Sequence, residues 1–244
     1  EMNDTKPEHR TYAKKLVQKK SLFTRNRKVI LGVPFTMLEG LSHILKKTSV
    51  ALAAQDVFWE EEGPFTGKIS VSFLKKVGVS HVIVGHSDRR HTLHESNELV
   101  AKKFKAIVEA GLIPILCVGE TYEERAKGKT RAVVKRQLAS AFKNVSVKNK
   151  RILIAYEPVW SISTSGTSKK ATLAEIESSM SMIESLLTTF KNKFRHAREV
   201  TLLYGGSVNV DNSKKILAIP TVNGALIGGS SLDLKKFIRI IENS

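Results

Sequence analysis

The 244-residue sequence has one cysteine, few aromatic residues and no long apolar run. With Cys117 as the single cysteine, an internal disulfide is excluded and a reducing compartment is expected. No apolar run approaches the roughly 20 residues that a membrane-spanning helix needs. The charged opening EMNDTKPEHR predicts no secretory leader. We therefore expect a cytoplasmic protein that does not bind membranes.

Acidic residues are also scarce, since 23 Asp and Glu face 40 Lys and Arg, for a net charge of +17. Such an excess is one mark of nucleic-acid binding. Here, however, the basic residues are spread over helical segments such as AKKFKAIVEAG, and no aromatic-studded basic patch accompanies them. We predict a lysine-rich solvated surface and no nucleic-acid partner, with a positive field that attracts anionic substrates.

Short Val/Ile/Leu-rich runs alternate with amphipathic helical stretches along the whole sequence, after a first helix at about 7–20. The runs lack strict polar alternation, which is typical of parallel strands buried on both faces. This order predicts an α/β fold with a parallel sheet, in which residues 1–244 form one domain. The predicted strands are KVILGVP (28–34), VALAAQDV (50–57), HVIVGH (81–86), PILCVGE (114–120), RILIAYEP (151–158), VTLLYGG (200–206) and NGALIGG (223–229).

The pattern of strands alone leaves an open doubly wound sheet and a closed eight-stranded barrel as alternatives. The residues at the strand ends favour the barrel. A barrel gathers all its strand ends into one mouth, where its active site lies, whereas an open sheet uses mainly its switch point. Polar or glycine-containing signatures follow nearly every predicted strand: Gln55-Asp56, Gly85-His86-Ser87, Gly119-Glu120, Glu157-Pro158, Gly205-Gly206-Ser207 and Gly228-Gly229-Ser230.

Two glycine-rich turns, YGGSV (204–208) and IGGSSLD (227–233), follow the last two strands. Glycine lets backbone N–H groups approach an anion closely, and serine adds a hydroxyl donor. After Gly229 we predict a helix with Ser230 or Ser231 as its N-cap and its N-terminus aimed at the anion. The alternative is that both turns serve only tight strand–helix connections. Their place after the last two strands favours a phosphate site.

His86 and Glu157 form a candidate acid–base pair. His86 ends a strand and precedes the helix-initiating stretch SDRRHTLHES, where the helix dipole keeps an imidazole neutral. Glu157 closes an apolar strand, where burial raises a carboxyl pKa toward the range of a general base. The alternatives are a surface histidine and a structural ion pair between Glu157 and one of the arginines after His86.

Six motifs occur together and in a fixed order: AAQDVFWEEEGPFTGKIS (53–70), VGHSDRR (84–90), ILCVGET (115–121), AYEPVW (155–160), YGGSV (204–208) and IGGSSL (227–232). As a set they resemble the triosephosphate isomerase family over essentially the whole chain. The resemblance implies a (β/α)8 barrel, the TIM-barrel fold, and a homodimer. It also implies interconversion of dihydroxyacetone phosphate and glyceraldehyde 3-phosphate, in glycolysis and gluconeogenesis, without a metal or organic cofactor.

By position, the resemblance makes Glu157 the base that moves a proton between two substrate carbons. It makes His86 the electrophile that polarises the carbonyl. Asp88 stands where the family has glutamate, with one methylene less reach, and Cys117 packs behind the site. The residues that the resemblance assigns to the substrate phosphate are Ser163, Ser207, Gly228 and Gly229.

The resemblance also implies that the loop of residues 60–67 reaches into a neighbouring subunit. The segment after Trp160 resembles the family's lid, with Pro158-Val159-Trp160 as its stiff hinge. Here the lid has Ser163 in place of a glycine, and it is a few residues longer than the family's.

The opening EMN departs from the family's Asn-x-Lys-Met-Asn motif. It puts Glu1 at the lysine position and leaves no first strand in the sequence. A carboxylate there would repel a phosphate and a developing enediolate. Three explanations are open: residues upstream of Glu1, a catalytically impaired barrel that binds a phosphate ligand without efficient turnover, or a repurposed domain. We favour the first, because the other site residues are intact.

Overall fold

The computed structural model describes residues 8–24, 27–148, 150–162, 169–190, 197 and 199–244. Seven strands in this part of the chain form one sheet in sequence order, and each pairs in parallel with the next. The strands are β1 (Val29–Val33), β2 (Val50–Ala54), β3 (His81–Val84), β4 (Ile113–Val118), β5 (Arg151–Tyr156), β6 (Glu199–Tyr204) and β7 (Gly224–Ala225).

Each connection between successive strands contains at least one helix, as parallel pairing requires a crossover. The α-helices are α1 (Glu8–Gln18), α2 (Phe35–Leu45), α3 (Val71–Lys76), α4 (Ser87–His91), α5 (Asn97–Glu109), α6 (Tyr122–Ala126), α7 (Thr130–Phe142), α8 (Leu173–Thr189), α9 (Val210–Leu217) and α10 (Leu234–Glu242). Short 3-10 helices cover Lys20–Leu22, Val159–Ser161 and Gly229–Leu232.

All seven predicted strands are present, but each ends one to four residues earlier than predicted. His86 and Glu157 lie just beyond the ends of their strands, where the chain turns into the helical segments that follow. The largest difference is β7, which has two residues where 223–229 was predicted. Beyond it the chain turns at Gly228 into a 3-10 helix.

The helix predicted to begin at Ser230 or Ser231 begins elsewhere. The last helix, α10, starts at Leu234 and its N-cap is Asp233, whose carboxylate accepts from the N–H groups of Lys235 and Lys236. The Ser230 hydroxyl donates instead to the Val208 carbonyl, at 2.9 Å. The N-cap prediction was therefore wrong, because the serine bonds across to the neighbouring turn rather than along its own helix.

Two apolar layers lie on opposite faces of the sheet, since successive side chains of a strand alternate between faces. The larger layer packs between the sheet and the helices. The smaller one lies on the concave face and consists of Ala53, Ile83, Ile115, Cys117, Ala155 and Leu203. The sheet curls around this smaller cluster as a barrel does. Among the described residues, no hydrogen-bonded ladder joins β7 to β1.

A cavity of about 1730 Å³ runs along the concave face of the sheet. Its two ends differ in chemistry. His81 and Arg151 line it at the N-terminal ends of β3 and β5, whereas His86, Glu157 and Ser207 line it at the C-terminal ends. Within the described ranges, none of the helices has the length and apolar character needed to cross a membrane.

Candidate active site

Glu157 follows β5 and is held at the mouth of the barrel with only 3% of its surface exposed. Its backbone N–H donates to the Val118 carbonyl, which extends the β4–β5 ladder by one bond. Its carboxylate Oε2 accepts from the Ser87 N–H at 2.9 Å, and Oε1 lies 3.2 Å from His86 Nε2. The predicted pair is therefore in contact.

The hydrogen bonds of His86 fix its tautomer. His86 is the N-cap of α4, and its Nδ1 accepts from the Asp88 N–H at 3.3 Å. An imidazole nitrogen that accepts a hydrogen bond carries no proton, so the neutral ring holds its proton on Nε2. That proton points at Glu157. A ring in this state can donate one hydrogen bond from Nε2, while the lone pair of Nδ1 accepts from the backbone.

Burial raises the pKa of Glu157, and the nearby His86 ring, the Ser87 N–H and the Cys117 thiol oppose this shift. The net direction is upward because an ionised carboxylate loses its water shell in this position. Cys117 lies on the concave face at the end of β4 and is fully buried. Burial and the neighbouring Glu157 raise the pKa of its thiol, so Cys117 is poorly suited to act as a nucleophile.

Glycine is required beside the carboxylate. A Cβ atom on Gly205 would lie 2.9 Å from Cγ of Glu157 and 3.2 Å from the Tyr156 carbonyl oxygen. The glycine-rich turn after β6 therefore does more than reverse the chain. It leaves the space that the Glu157 side chain occupies.

Both glycine-rich turns lie at the mouth, and Ser207, Gly228 and Gly229 line the same cavity as His86 and Glu157. The turns are joined to each other by the Ser230 hydroxyl, which donates to the Val208 carbonyl. Asn212 Nδ2 donates to the Ser207 carbonyl at 2.9 Å and so fixes the first turn on α9. Ser163, the remaining predicted phosphate residue, lies outside the described residues, as does Glu1.

Asp88 lies beside the histidine but on its far side from Glu157. Its carboxylate Oδ2 is 3.6 Å from His86 Nδ1, and its side chain is 48% exposed. The arginines that follow it bind elsewhere. Arg89 pairs with Asp56 and Glu95, while Arg90 donates to the carbonyls of Gly85 and Cys117 and to Asn97. The alternative of a Glu157–arginine pair does not match these contacts.

A buried charge cluster behind His86 was missed by the sequence reasoning. Lys103 on α5 is 3% exposed, and its Nζ bonds Asp56 Oδ1 at 2.6 Å and Glu95 Oε1 at 2.5 Å. Arg89 bonds the same two carboxylates, with Nη2 2.7 Å from Asp56 Oδ2 and Nε 2.8 Å from Glu95 Oε1. The cluster anchors α4, and with it His86, to α5. The only sign of this cluster in the sequence is that Lys103 falls on the apolar face of α5.

A second buried carboxylate, Glu120, fixes the segment that follows Glu157. Glu120 has no exposed surface and accepts from the Tyr156 hydroxyl and from Trp160 Nε1, the latter at 2.9 Å. Arg125 lies 3.5 Å from the same carboxylate and covers the Trp160 ring at 4.3 Å. The predicted hinge, Pro158-Val159-Trp160, is thus anchored at its tryptophan.

In the described part of the chain, no group of three or more His, Cys, Asp and Glu side chains is arranged to hold a metal ion. The chemistry that the mouth offers is a neutral imidazole donor and a buried carboxylate base. Two turns rich in backbone N–H groups lie beside them.

The family model for triosephosphate isomerase matches residues 1–244. The chain belongs to the triosephosphate isomerase family. The triosephosphate isomerase of Citrifermentans bemidjiense is 42% identical over 217 residues, which cover 88% of this chain and 85% of that protein. That of Chlamydia muridarum is 38% identical over 245 residues, which cover 99% and 87%. The crystal structure of the Bartonella henselae triosephosphate isomerase matches with a TM-score of 0.85 and 36% identity, over 100% of this chain and 95% of that one.

Membership in the triosephosphate isomerase family confirms the barrel rather than the open sheet. The chain is thus a TIM barrel whose described residues supply seven strands. The family and the named relatives are triosephosphate isomerases, which supports the isomerase rather than the impaired phosphate-binding barrel.

Proposed function

We propose that this protein interconverts dihydroxyacetone phosphate and D-glyceraldehyde 3-phosphate, with Glu157 and His86 as its catalytic residues. The observation that carries the assignment of residues is the 3.2 Å contact between Glu157 Oε1 and His86 Nε2 at the barrel mouth. The match to the triosephosphate isomerase family supports the reaction. The pairing of a glutamate base with a neutral histidine is the arrangement known for this family.

Glu157 moves the proton between the carbons. Its carboxylate removes a proton from C1 of dihydroxyacetone phosphate, the C–H electron pair forms the C1=C2 bond, and negative charge develops on the C2 oxygen. The protonated Glu157 then returns the proton to C2, which leaves the aldehyde at C1. The raised pKa suits this step, since a carboxylate with a higher pKa is a stronger base.

His86 acts on the oxygens. Its Nε2–H donates a hydrogen bond to the oxygen on which charge develops, and the ring moves the proton between O1 and O2. The Asp88 N–H on Nδ1 keeps the ring in the required tautomer. A preorganised donor in a site that excludes water stabilises the developing charge more than water does.

The substrate phosphate lies against the two glycine-rich turns, with Ser207, Gly228 and Gly229 as its ligands and Ser163 as a further one. The support is their shared place along the cavity that also contains His86 and Glu157. The net charge of +17 favours capture of such a dianion. Asp88 and Cys117 support the catalytic pair by position.

A coupled assay with D-glyceraldehyde 3-phosphate tests the proposal. Glu157→Gln removes the base and keeps the side-chain shape, so we expect kcat to fall by about 10²–10⁴-fold or more. Glu109→Gln, with a 61% exposed side chain on α5, is the matched control and keeps full activity. Absence of turnover in the wild type, or equal kcat values in wild type and Glu157→Gln, would contradict the proposal.

The phosphate ligands have a separate test. Ser207→Asp places a negative charge at the first turn, and we expect the inhibition constant of inorganic phosphate to rise by at least tenfold. Ser178→Asp adds the same charge on the exposed face of α8 and leaves that constant unchanged. An unchanged constant in Ser207→Asp would show that the phosphate binds elsewhere.

We further propose a cytoplasmic homodimer formed through the loop of residues 60–67. In this loop Phe65 is 39% exposed, although its ring packs on Phe58 at 4.7 Å between centroids. Phe65→Ser removes apolar surface from the loop that would contact a partner. Phe73→Ser is the matched control, because it removes a ring that is 49% exposed on α3, outside this loop. Light scattering should show a dimer for the wild type and Phe73→Ser, and a shift to monomer for Phe65→Ser. A monomeric wild type would contradict this part of the proposal.

A further inference from the structure

The first helix, α1, is bonded to the second glycine-rich turn at the barrel mouth. The Tyr12 hydroxyl donates to the Ser231 carbonyl at 2.7 Å, although the two residues lie 219 positions apart in the sequence. The Tyr12 ring is half-buried and lies beside the Phe237 ring of α10, with 6.4 Å between the ring centroids. The packing against α10 holds the ring, and the hydroxyl joins α1 to the backbone that follows Gly228 and Gly229.

Ser231 connects this anchor to Gly228. Its N–H donates to the Gly228 carbonyl at 2.8 Å, and its hydroxyl donates to the same carbonyl at 2.7 Å. The Gly228 carbonyl and the Gly229 N–H belong to one planar peptide group, in which they point in opposite directions. The two bonds that fix the direction of the carbonyl therefore also fix the direction of the Gly229 N–H.

The turn has a second anchor in Ser230, whose hydroxyl donates to the Val208 carbonyl in the first glycine-rich turn. Gly228 and Gly229 need such anchors, because a backbone without Cβ atoms has more conformational freedom than any other. An N–H group whose direction is already set binds an anion more tightly, since no free energy is spent on ordering it during binding. The turn is thus held toward the first turn by Ser230 and toward α1 by Ser231.

Removal of the Tyr12 hydroxyl takes away the bond to Ser231 and leaves the rest of the site in place. Phenylalanine at position 12 keeps the ring and its contact with Phe237 but donates nothing to the Ser231 carbonyl. A turn that spends part of its time in other arrangements binds its ligand with an affinity reduced by that fraction. The contact between Glu157 and His86 does not involve α1 and is retained.

We infer that Tyr12 is a positioning residue for the reaction, which holds the second glycine-rich turn through the Ser231 carbonyl and so keeps the Gly229 N–H directed at the substrate phosphate. This inference rests on the proposed function, since it takes Gly229 to be a phosphate ligand. Tyr12 acts through Ser231 rather than by contact with the substrate. Its effect is on phosphate affinity, and therefore on KM, more than on proton transfer.

The test compares Tyr12→Phe with two control variants. Tyr122→Phe makes the same chemical change at the start of α6, where the side chain is 54% exposed. Ile107→Val removes one methylene from a fully buried side chain on α5, away from the turn, at a cost in stability similar to that of one lost hydrogen bond. Calorimetric titration gives the dissociation constant of inorganic phosphate, and the coupled assay gives KM and kcat.

We expect Tyr12→Phe to raise the dissociation constant of phosphate and the KM for glyceraldehyde 3-phosphate by about fivefold, with kcat changed by less than about twofold. Both control variants keep the wild-type constants, although Ile107→Val is less stable. An unchanged dissociation constant in Tyr12→Phe, or an equal rise in Ile107→Val, would overturn the inference.

The amide proton of Gly229 provides a readout that needs no turnover. Followed by NMR during a titration with inorganic phosphate, its resonance should shift to the same end point in wild type and Tyr12→Phe, at about fivefold higher phosphate in the variant. A Gly229 resonance that does not respond to phosphate in the wild type would overturn the inference. If the wild type binds phosphate but turns over no glyceraldehyde 3-phosphate, the proposed function is wrong, while the phosphate affinities of the variants still decide the role of Tyr12.

Discussion

Removal of the Lys103 charge should destabilise the protein more than any surface lysine does. Lys103 is 3% exposed and its ammonium group bonds two carboxylates, Asp56 and Glu95, at 2.6 and 2.5 Å. Lys103→Met fills the same space but leaves both acids with Arg89 as their remaining cation. Breaking a buried ion pair by removing one partner costs about 3–5 kcal/mol. Because Arg89 remains and the Asp56 side chain is 19% exposed, we expect about 3 kcal/mol.

Urea denaturation of Lys103→Met, beside Lys105→Met, measures this cost. Lys105 lies two residues further along α5, its side chain is 49% exposed, and its ion pair with Glu109 is 3.8 Å long. Such an exposed pair contributes less than about 0.5 kcal/mol. A loss below about 1 kcal/mol in Lys103→Met, or equal losses in the two variants, would refute the reasoning. It would mean that water reaches the cluster or that the carboxylates rearrange around Arg89.

Three further predictions concern the inner face of the barrel. Gly205→Ala should fold but lose about 10²-fold in kcat, because the new methyl group displaces the Glu157 side chain; normal kcat would contradict the packing at the mouth. Glu157→Gln should raise the free energy of unfolding at pH 8 and leave it unchanged well below pH 4.5. The reason is that the raised pKa of Glu157 makes ionisation of this carboxyl group costly to the folded state. A variant less stable than the wild type at pH 8 would contradict this sign. Burial, with Lys28 and Arg151 nearby, lowers the pKa of His81 to about 4, so protonation favours the unfolded chain as pH falls from 6.5 toward 4. His81→Asn should remove roughly 2–3 kcal/mol of this pH dependence in urea titrations, and an unchanged pH dependence would be the contrary result.

The sequence predicted most of the barrel because local composition reports burial on both faces of a strand. All seven runs, from KVILGVP to NGALIGG, became strands of one parallel sheet. The sequence predicted the C-terminal ends of these strands less well. Glu157 was placed inside its strand, whereas β5 ends at Tyr156. The Glu157 N–H still bonds the Val118 carbonyl, but Pro158, the next residue, has no N–H to donate. The assignment of residues 1–244 to one domain stays a prediction.

The catalytic pair was predictable since its residues directly follow strands, and strand ends meet in space. The supporting contacts were not predictable in the same way. Lys103 lies in an ordinary amphipathic helix, and only the packing of α5 brings it to Glu95 and Asp56. The N-cap of α10 was misassigned because the bond from Ser230 to Val208 crosses between two turns 22 residues apart. Such long-range partners leave no local pattern.

Exchange of deuterium from solvent tests the central claim most directly, since the claim is that Glu157 moves a proton between C1 and C2. Dihydroxyacetone phosphate is incubated with the protein in D₂O, and the C2 position of the glyceraldehyde 3-phosphate formed is followed by proton NMR. A carboxylic acid that exchanges with solvent before it returns the proton labels C2 with deuterium. The account predicts turnover with deuterium at C2 for the wild type and for Glu109→Gln, and the loss of both turnover and labelling in Glu157→Gln. Turnover with labelling at the wild-type rate in Glu157→Gln would contradict it.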